Sequence, residues 1–175
     1  MPPALLKMKR YGQLRVIKDN RIIEDPWQRL ESPEPGQPLP AGDIIVPYGY
    51  WLENRDALLS REGRLGVCID GDVNTEDVAG DLAHFDLIAL NFPVFKDGRS
   101  YSHARLLRER YHYQGELRAV GDVLRDQLFF MKRCGIDSFQ LRADKDMEDA
   151  LNAFNDFTVK YQTATDGVPP IYRLR

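Results

Sequence analysis

The sequence predicts an α/β protein, with repeated β-α units forming a mostly parallel sheet of about five strands covered by helices. The sheet is expected either to stay open or to curl into an incomplete barrel, and an N-terminal β-hairpin precedes it. Two observations predict this. Apolar runs of strand length alternate with longer segments whose apolar residues recur every three or four positions, the pattern of parallel strands joined by crossover helices. A stretch rich in proline and glycine, SPEPGQPLPAG over 32–42, breaks the chain ahead of that rhythm. The expected division is 1–42, hairpin and linker, and 43–175, the α/β domain.

Residues 11–31 read as the hairpin: Leu14 and Val16 alternate with polar neighbours, Asp19-Asn20 supplies the turn, and Ile22 and Ile23 begin the return. Asp43 to Pro47 is the first parallel strand, followed by a helix from Tyr50 to Arg61. Leu65 to Ile69 is the second strand, closed by Asp70-Gly71-Asp72, after which Thr75 is placed to cap a helix from Glu76 to His84. Asp86 to Leu90 is the third strand. A turn at Lys96-Asp97-Gly98 leads to a helix over Ser100 to His112, and Glu116 to Val120 is the fourth strand. Asp122 is the expected cap of a helix through Arg133, with Gly135 as its stop. Ser138 to Leu141 is the fifth strand, 145–157 the last helix, and Val159 to Tyr161 a further edge strand. Five units are too few for an eight-stranded barrel. A curled sheet would need its edge covered by the hairpin or by another subunit.

Composition narrows the class. With 43% hydrophobic residues in 175, the chain builds its own core without disulfides or metal. Cys68 and Cys134 share no metal-ligand or CxxC spacing, so no metal site is expected, and a reducing cytoplasm is the expected setting. No apolar run reaches the length of a membrane span or a signal peptide. A net charge of −3 gives no reason to expect nucleic acid. The charge is uneven: residues 96–142 carry 10 basic and 6 acidic side chains, against 10 and 15 in residues 1–95. A basic middle in an acidic protein suits a small anion or an acidic partner.

Ligands of parallel α/β proteins gather beyond the carboxyl ends of the strands, which turns the strand reading into a site prediction. The longest strand-to-helix connection, NFPVFKDGRSYS over 91–102, holds Lys96, Arg99, Ser100, Tyr101 and Ser102. Free N–H groups at a helix start beside a guanidinium fork would receive sulfite, sulfate or phosphate. The bland alternative is an Asp97-Gly98 turn with Arg99 in water. Arg118 lies mid-strand, where a charge needs a partner. It is expected either to pair with Asp122, Asp126 or Asp70, or to face a ligand, with Arg125 nearby. Asp70, Asp97 and Asp122 are the candidate catalytic carboxylates, although Asp-Gly is also simply a turn. His84, His103 and His112 read as surface or packing residues. GxGxxG, P-loop and GxSxG motifs do not occur, so the residues assign no cofactor.

The stretch DGRSYSHARLLRERYHYQGELRAVGDVLRDQLFFMKRCGIDSFQLR, residues 97–142, resembles the bacterial domain-of-unknown-function 934 family. The likeness rests on DGRSYS, LLRER, GELRAVGDVLRDQ and RCG, and runs more loosely back to about Asp43. Members of that family are described as candidate oxidoreductases of sulfite reduction, and their genes accompany the haemoprotein subunit of assimilatory sulfite reductase. The resemblance therefore implies an accessory protein working with or beside that haemoprotein. An α/β enzyme acting on an anionic substrate and a non-catalytic, homo-oligomeric interaction module are the alternatives.

Overall fold

A computed structural model describes residues 14–155. Eight strands form one sheet in the order β2-β1-β8-β7-β6-β5-β4-β3. The strands are β1 (Arg15–Lys18), β2 (Arg21–Glu24), β3 (Trp27–Arg29), β4 (Asp43–Pro47), β5 (Leu65–Ile69), β6 (Leu87–Phe92), β7 (Glu116–Gly121) and β8 (Ser138–Phe139). From β3 to β8 every neighbouring pair is parallel. β1 is antiparallel to both β8 and β2, so the sheet is mixed.

The five parallel strands predicted are present, and the hairpin turn at Asp19-Asn20 has positive φ at both residues, as a tight hairpin turn requires. The strand count differs from the prediction for two reasons. The hairpin joins the sheet by pairing with β8, and residues 27–29, expected to belong to the hairpin's return, form a separate strand against β4. Three residues stranded by a neighbour carry too little periodicity to be recognised alone.

The sheet's two outer strands, β2 and β3, are consecutive pieces of one segment, joined only by Asp25-Pro26. Laid flat, eight strands would hold their outer members roughly 33 Å apart, yet three residues of chain reach no more than about 11 Å. The sheet therefore curls round until its ends meet at this joint, giving an open, incomplete barrel. The hydrogen bonding changes sides there: the Asp25 N–H donates to Leu14 on the β1 side, and past Pro26, which has no N–H, the chain pairs with β4.

Curling gives the sheet an inside and an outside. Outside, Ile44, Val46, Val67, Ile88, Leu90, Leu117, Ala119 and Phe139 pack against residues of every helix. Inside, Trp27, Ile45, Leu87, Ala89 and Val120 form a smaller cluster with no helical member. Two-residue alternation along each strand sorts the side chains between the faces.

The helices are shorter than their sequence patterns. The first breaks at Asn54 into α1 (Tyr48–Glu53) and α2 (Arg55–Leu59). The next is α3 (Thr75–Ala79), capped by Asn74 and not by Thr75, followed by a 3-10 turn over Leu82–His84. Thr75 is turned inward to His103, its hydroxyl 2.6 Å from Nδ1. α4 (Arg99–Arg105) continues as a π-helical turn over Leu106–Arg110. α5 (Arg125–Arg133) has Leu124 as its N-cap, two residues after the cap the sequence assigned; Asp122 does not cap it but accepts from Arg142. Gly135, at φ 105°, ends α5 as expected. α6 (Met147–Asn152) passes into a 3-10 turn to Asn155. The predicted edge strand at 159–161 and the end of the last helix lie outside the described residues. No described helix is long and apolar enough to cross a membrane.

Candidate functional site at the strand ends

The carboxyl ends of β5 and β6 bring one group of predicted residues together. Asp70, just past β5, accepts a 2.6 Å hydrogen bond from the Asn91 amide on β6. The two lie beside one another because β5 and β6 run parallel with Ile69 opposite Leu90. The Asn91 carbonyl in turn accepts from the Ser100 hydroxyl at 2.7 Å, which fixes the start of α4 against β6.

Arg99 grips Asp97 with two side-chain hydrogen bonds, Nε to Oδ1 at 3.0 Å and Nη2 to Oδ2 at 2.7 Å. Those bonds, with the Arg99 backbone N–H, hold the Asp97 carboxyl down at about 2. The guanidinium lies over the Asp70-Gly71-Asp72 turn, and a Cβ on Gly71 would come within 2.7 Å of Arg99 Nε, so this position needs glycine for close approach. Behind it, buried His103 bridges Thr75 and the Gly71 carbonyl, 3.2 Å away. That is the packing role expected for it.

The remaining predicted residues go elsewhere. Lys96 and Ser102 are exposed. Tyr101 lies between the rings of Phe92 and Phe130, each centroid 5.0 Å away, and burial followed by Cys134 pushes its hydroxyl up to about 12. Arg125 pairs with Asp149 on α6 at 3.1 Å. Asp122 belongs to a second strand-end pair, with Arg142 at 3.0 Å.

Arg118 is inside the barrel, its side chain 1% exposed. Of the two expectations for it, the ion pair is the one observed, with partners other than those predicted. Nη1 donates to Asp25 Oδ2 at 2.7 Å, Nη2 to Glu116 Oε1 at 2.8 Å, and Nε to Glu116 and to Ser138 Oγ, both at 3.1 Å. Lys18 of the hairpin holds the other Glu116 oxygen at 2.7 Å. Glu116 was legible as a partner, since residues two apart on a strand share a face. Asp25 was not, because nothing local says that the joint between β2 and β3 closes over the barrel. Arg99 and Arg118 therefore do not share a crevice: one is exposed at the rim and the other is enclosed below.

The cysteines stand on opposite faces of the sheet. Cys68 packs on the inner cluster, where burial pushes its thiol up to about 11, and Cys134 is buried among the outer residues, its thiol likewise raised by burial. Among the described residues no three or more His, Cys, Asp or Glu side chains are grouped to hold a metal ion.

Fold and rim together define a parallel-rich α/β protein with an incomplete barrel and a polar, carboxylate-rich strand-end surface. Residues 66–172 match the bacterial protein family of unknown function DUF934, and the chain belongs to that family. No curated protein and no solved structure matches it.

Proposed function

We propose that the protein is an accessory component of assimilatory sulfite reduction, acting in the cytoplasm beside the sulfite reductase haemoprotein, with the electron transfer belonging to that partner. The observation that carries this reading is membership of the family over residues 66–172, whose members the sequence resemblance links to that pathway. Two structural facts support the assignment of electron transfer to the partner. Both thiols are raised by burial, so they are protonated at neutral pH, and they face opposite sides of the sheet, so they do not form a dithiol. Any oxyanion bound at the rim would meet Arg99 and the Ser100 end of α4, in exchange with Asp97.

The test is a deletion strain grown with sulfate as sulfur source, together with affinity capture on the full-length chain. Impaired growth and recovery of a sulfite reductase subunit are expected. Normal growth with no subunit recovered overturns the reading.

One observation favours a second reading, an α/β enzyme acting on an anionic substrate. Asp70, Asn91, Asp97 and Arg99 assemble where such enzymes place their chemistry. A rise in melting temperature with an oxyanion, flavin or nicotinamide, abolished by Arg99→Ala, is the result this reading requires.

A further inference from the structure

Arg29 is an arginine of the barrel's inner face whose charge is left without an ion pair. It follows Trp27 by two residues on β3, so it points to the same side, and it stands opposite Ile45 of the inner cluster. It is half-buried. Inside the same barrel Arg118 pairs with Asp25 and Glu116, and Lys18 takes the second Glu116 oxygen. Among the described residues no carboxylate lies within ion-pair distance of Arg29.

The strand register places this guanidinium at the carboxyl mouth. β3 ends at Arg29, and Ile45 beside it is paired with Gly66, two residues before Cys68. Cys68 lies opposite Ala89 and packs on the inner cluster, and Asn91 lies opposite Val120. Ala89 and Val120 are buried, whereas Arg29, Cys68 and Asn91 are half-buried. The bulky Trp27, Ile45 and Leu87 fill the amino-terminal half of the interior, and the smaller Cys68, Ala89 and Val120 line the half that opens at the strand ends.

Burial raises the Cys68 thiol and the Arg29 charge opposes that rise, in keeping with the placement the register gives. Asp70 and Glu31 act in the other direction, but both are exposed, where water screens them. A guanidinium drawn partly out of water without a carboxylate gains from an anion, and its planar fork matches an oxyanion.

We infer that the carboxyl mouth of the barrel binds a small oxyanion of the sulfite and sulfate class, with Arg29 as its charged receptor above Cys68 and Ala89. The site is distinct from the rim, where Asp97 already occupies Arg99. It rests on the sulfite reading only for the choice of a sulfur oxyanion.

Isothermal titration of sulfite and sulfate into the full-length protein, Arg29→Gln, Arg99→Ala and Arg105→Gln on the outer surface of α4 tests it. Unfolding midpoints confirm that the variants fold. Affinity weakened roughly tenfold or more in Arg29→Gln and unchanged in Arg105→Gln upholds the site. No binding by the wild type, or wild-type affinity in Arg29→Gln, overturns it; loss in Arg99→Ala alone moves the anion to the rim. Should Arg29→Gln not fold, the rate of iodoacetamide labelling at each cysteine, read by mass spectrometry, decides. Slower labelling of Cys68 in sulfate than in chloride at equal ionic strength, with Cys134 unaffected, upholds the site. Equal slowing of both thiols, or of neither, overturns it. Binding together with normal growth of the deletion strain on sulfate upholds the site while the accessory role fails, and a growth defect without binding does the reverse.

Discussion

Arg118 Nη1 lies 2.7 Å from Asp25 Oδ2, so a side chain from the middle of β7 reaches across the barrel interior to the joint at which the chain leaves β2 for β3. Asp25 uses its other oxygen to accept from the Trp27 N–H at 3.1 Å. One carboxylate thus shapes the turn into β3 and ties it to the opposite wall. Lys18 and Glu116 extend the same network into the hairpin. The covalent joint brings the sheet's ends together, and this buried charge network ties the joint to the opposite wall.

Removing one partner of such a pair leaves uncompensated charge in the interior. Arg118→Ala is expected to lower stability by about 3–5 kcal/mol, read as a fall in the denaturant midpoint. The triple change Asp25→Asn, Glu116→Gln and Arg118→Met, which removes the charges of all three, should recover part of that loss. A midpoint unchanged in Arg118→Ala would show that the network does not hold the seam.

Acid should destabilise the protein, and Glu116 contributes to the effect. Burial alone raises its carboxyl, but the charge of Arg118 and hydrogen bonds from Lys18, Ser138 and Arg118 outweigh burial and hold it below the ordinary range. Asp43 is lowered chiefly by its hydrogen bond from Arg64. A carboxylate with a depressed folded pKa contributes stability that is complete above its unfolded pKa, about 4, and is lost as pH falls through the folded value. Asp137 has the opposite sign: burial raises it, so its contribution favours the fold at low pH and is lost as pH rises through its folded pKa. Unfolding midpoints measured from pH 7 down to about 2 should therefore fall below about pH 4, and less steeply in Glu116→Gln.

Arg99 is exposed at the surface and Asp97 half-buried beneath it, so breaking this solvent-screened pair should leave the unfolding midpoint nearly unchanged. Asp97→Ala releases the guanidinium for other anions. If Arg99 is an oxyanion contact, sulfate or sulfite raises the melting temperature more in Asp97→Ala than in the wild type, and not at all in Arg99→Ala. Equal shifts in all three place the anion elsewhere.

Thr75 and His103 hold α3 against α4 from inside. Thr75→Val leaves the imidazole Nδ1 without its partner in a buried site, and a loss of about 1–3 kcal/mol is expected. Urea denaturation of this variant beside Ser102→Ala, an exposed neighbour expected to be near neutral, checks it.

Local pattern determined much of this protein. The apolar runs at 43–47, 65–69, 86–90, 116–120 and 138–141 located five strands within one or two residues at most ends, because parallel strands buried on both faces leave continuous apolar text. Asp19-Asn20 and Gly135 were legible because a positive φ restricts residue choice. Helix ends were less legible: Thr75 and Asn74 are both capping residues, and only packing decided that Thr75 turns inward to His103. At the rim, the grouping of Asp70, Asp97 and Arg99 followed from strand order, but the grip of Arg99 on Asp97 did not. What tertiary structure alone decided is closure. The pairing of β3 with β4, the meeting of the sheet's ends at Asp25-Pro26 and the enclosure of Arg118 between Asp25 and Glu116 join residues up to 93 apart in the chain. Such contacts leave no local period to read, because their free energy comes from desolvation and charge pairing in an interior that exists only once the sheet has curled.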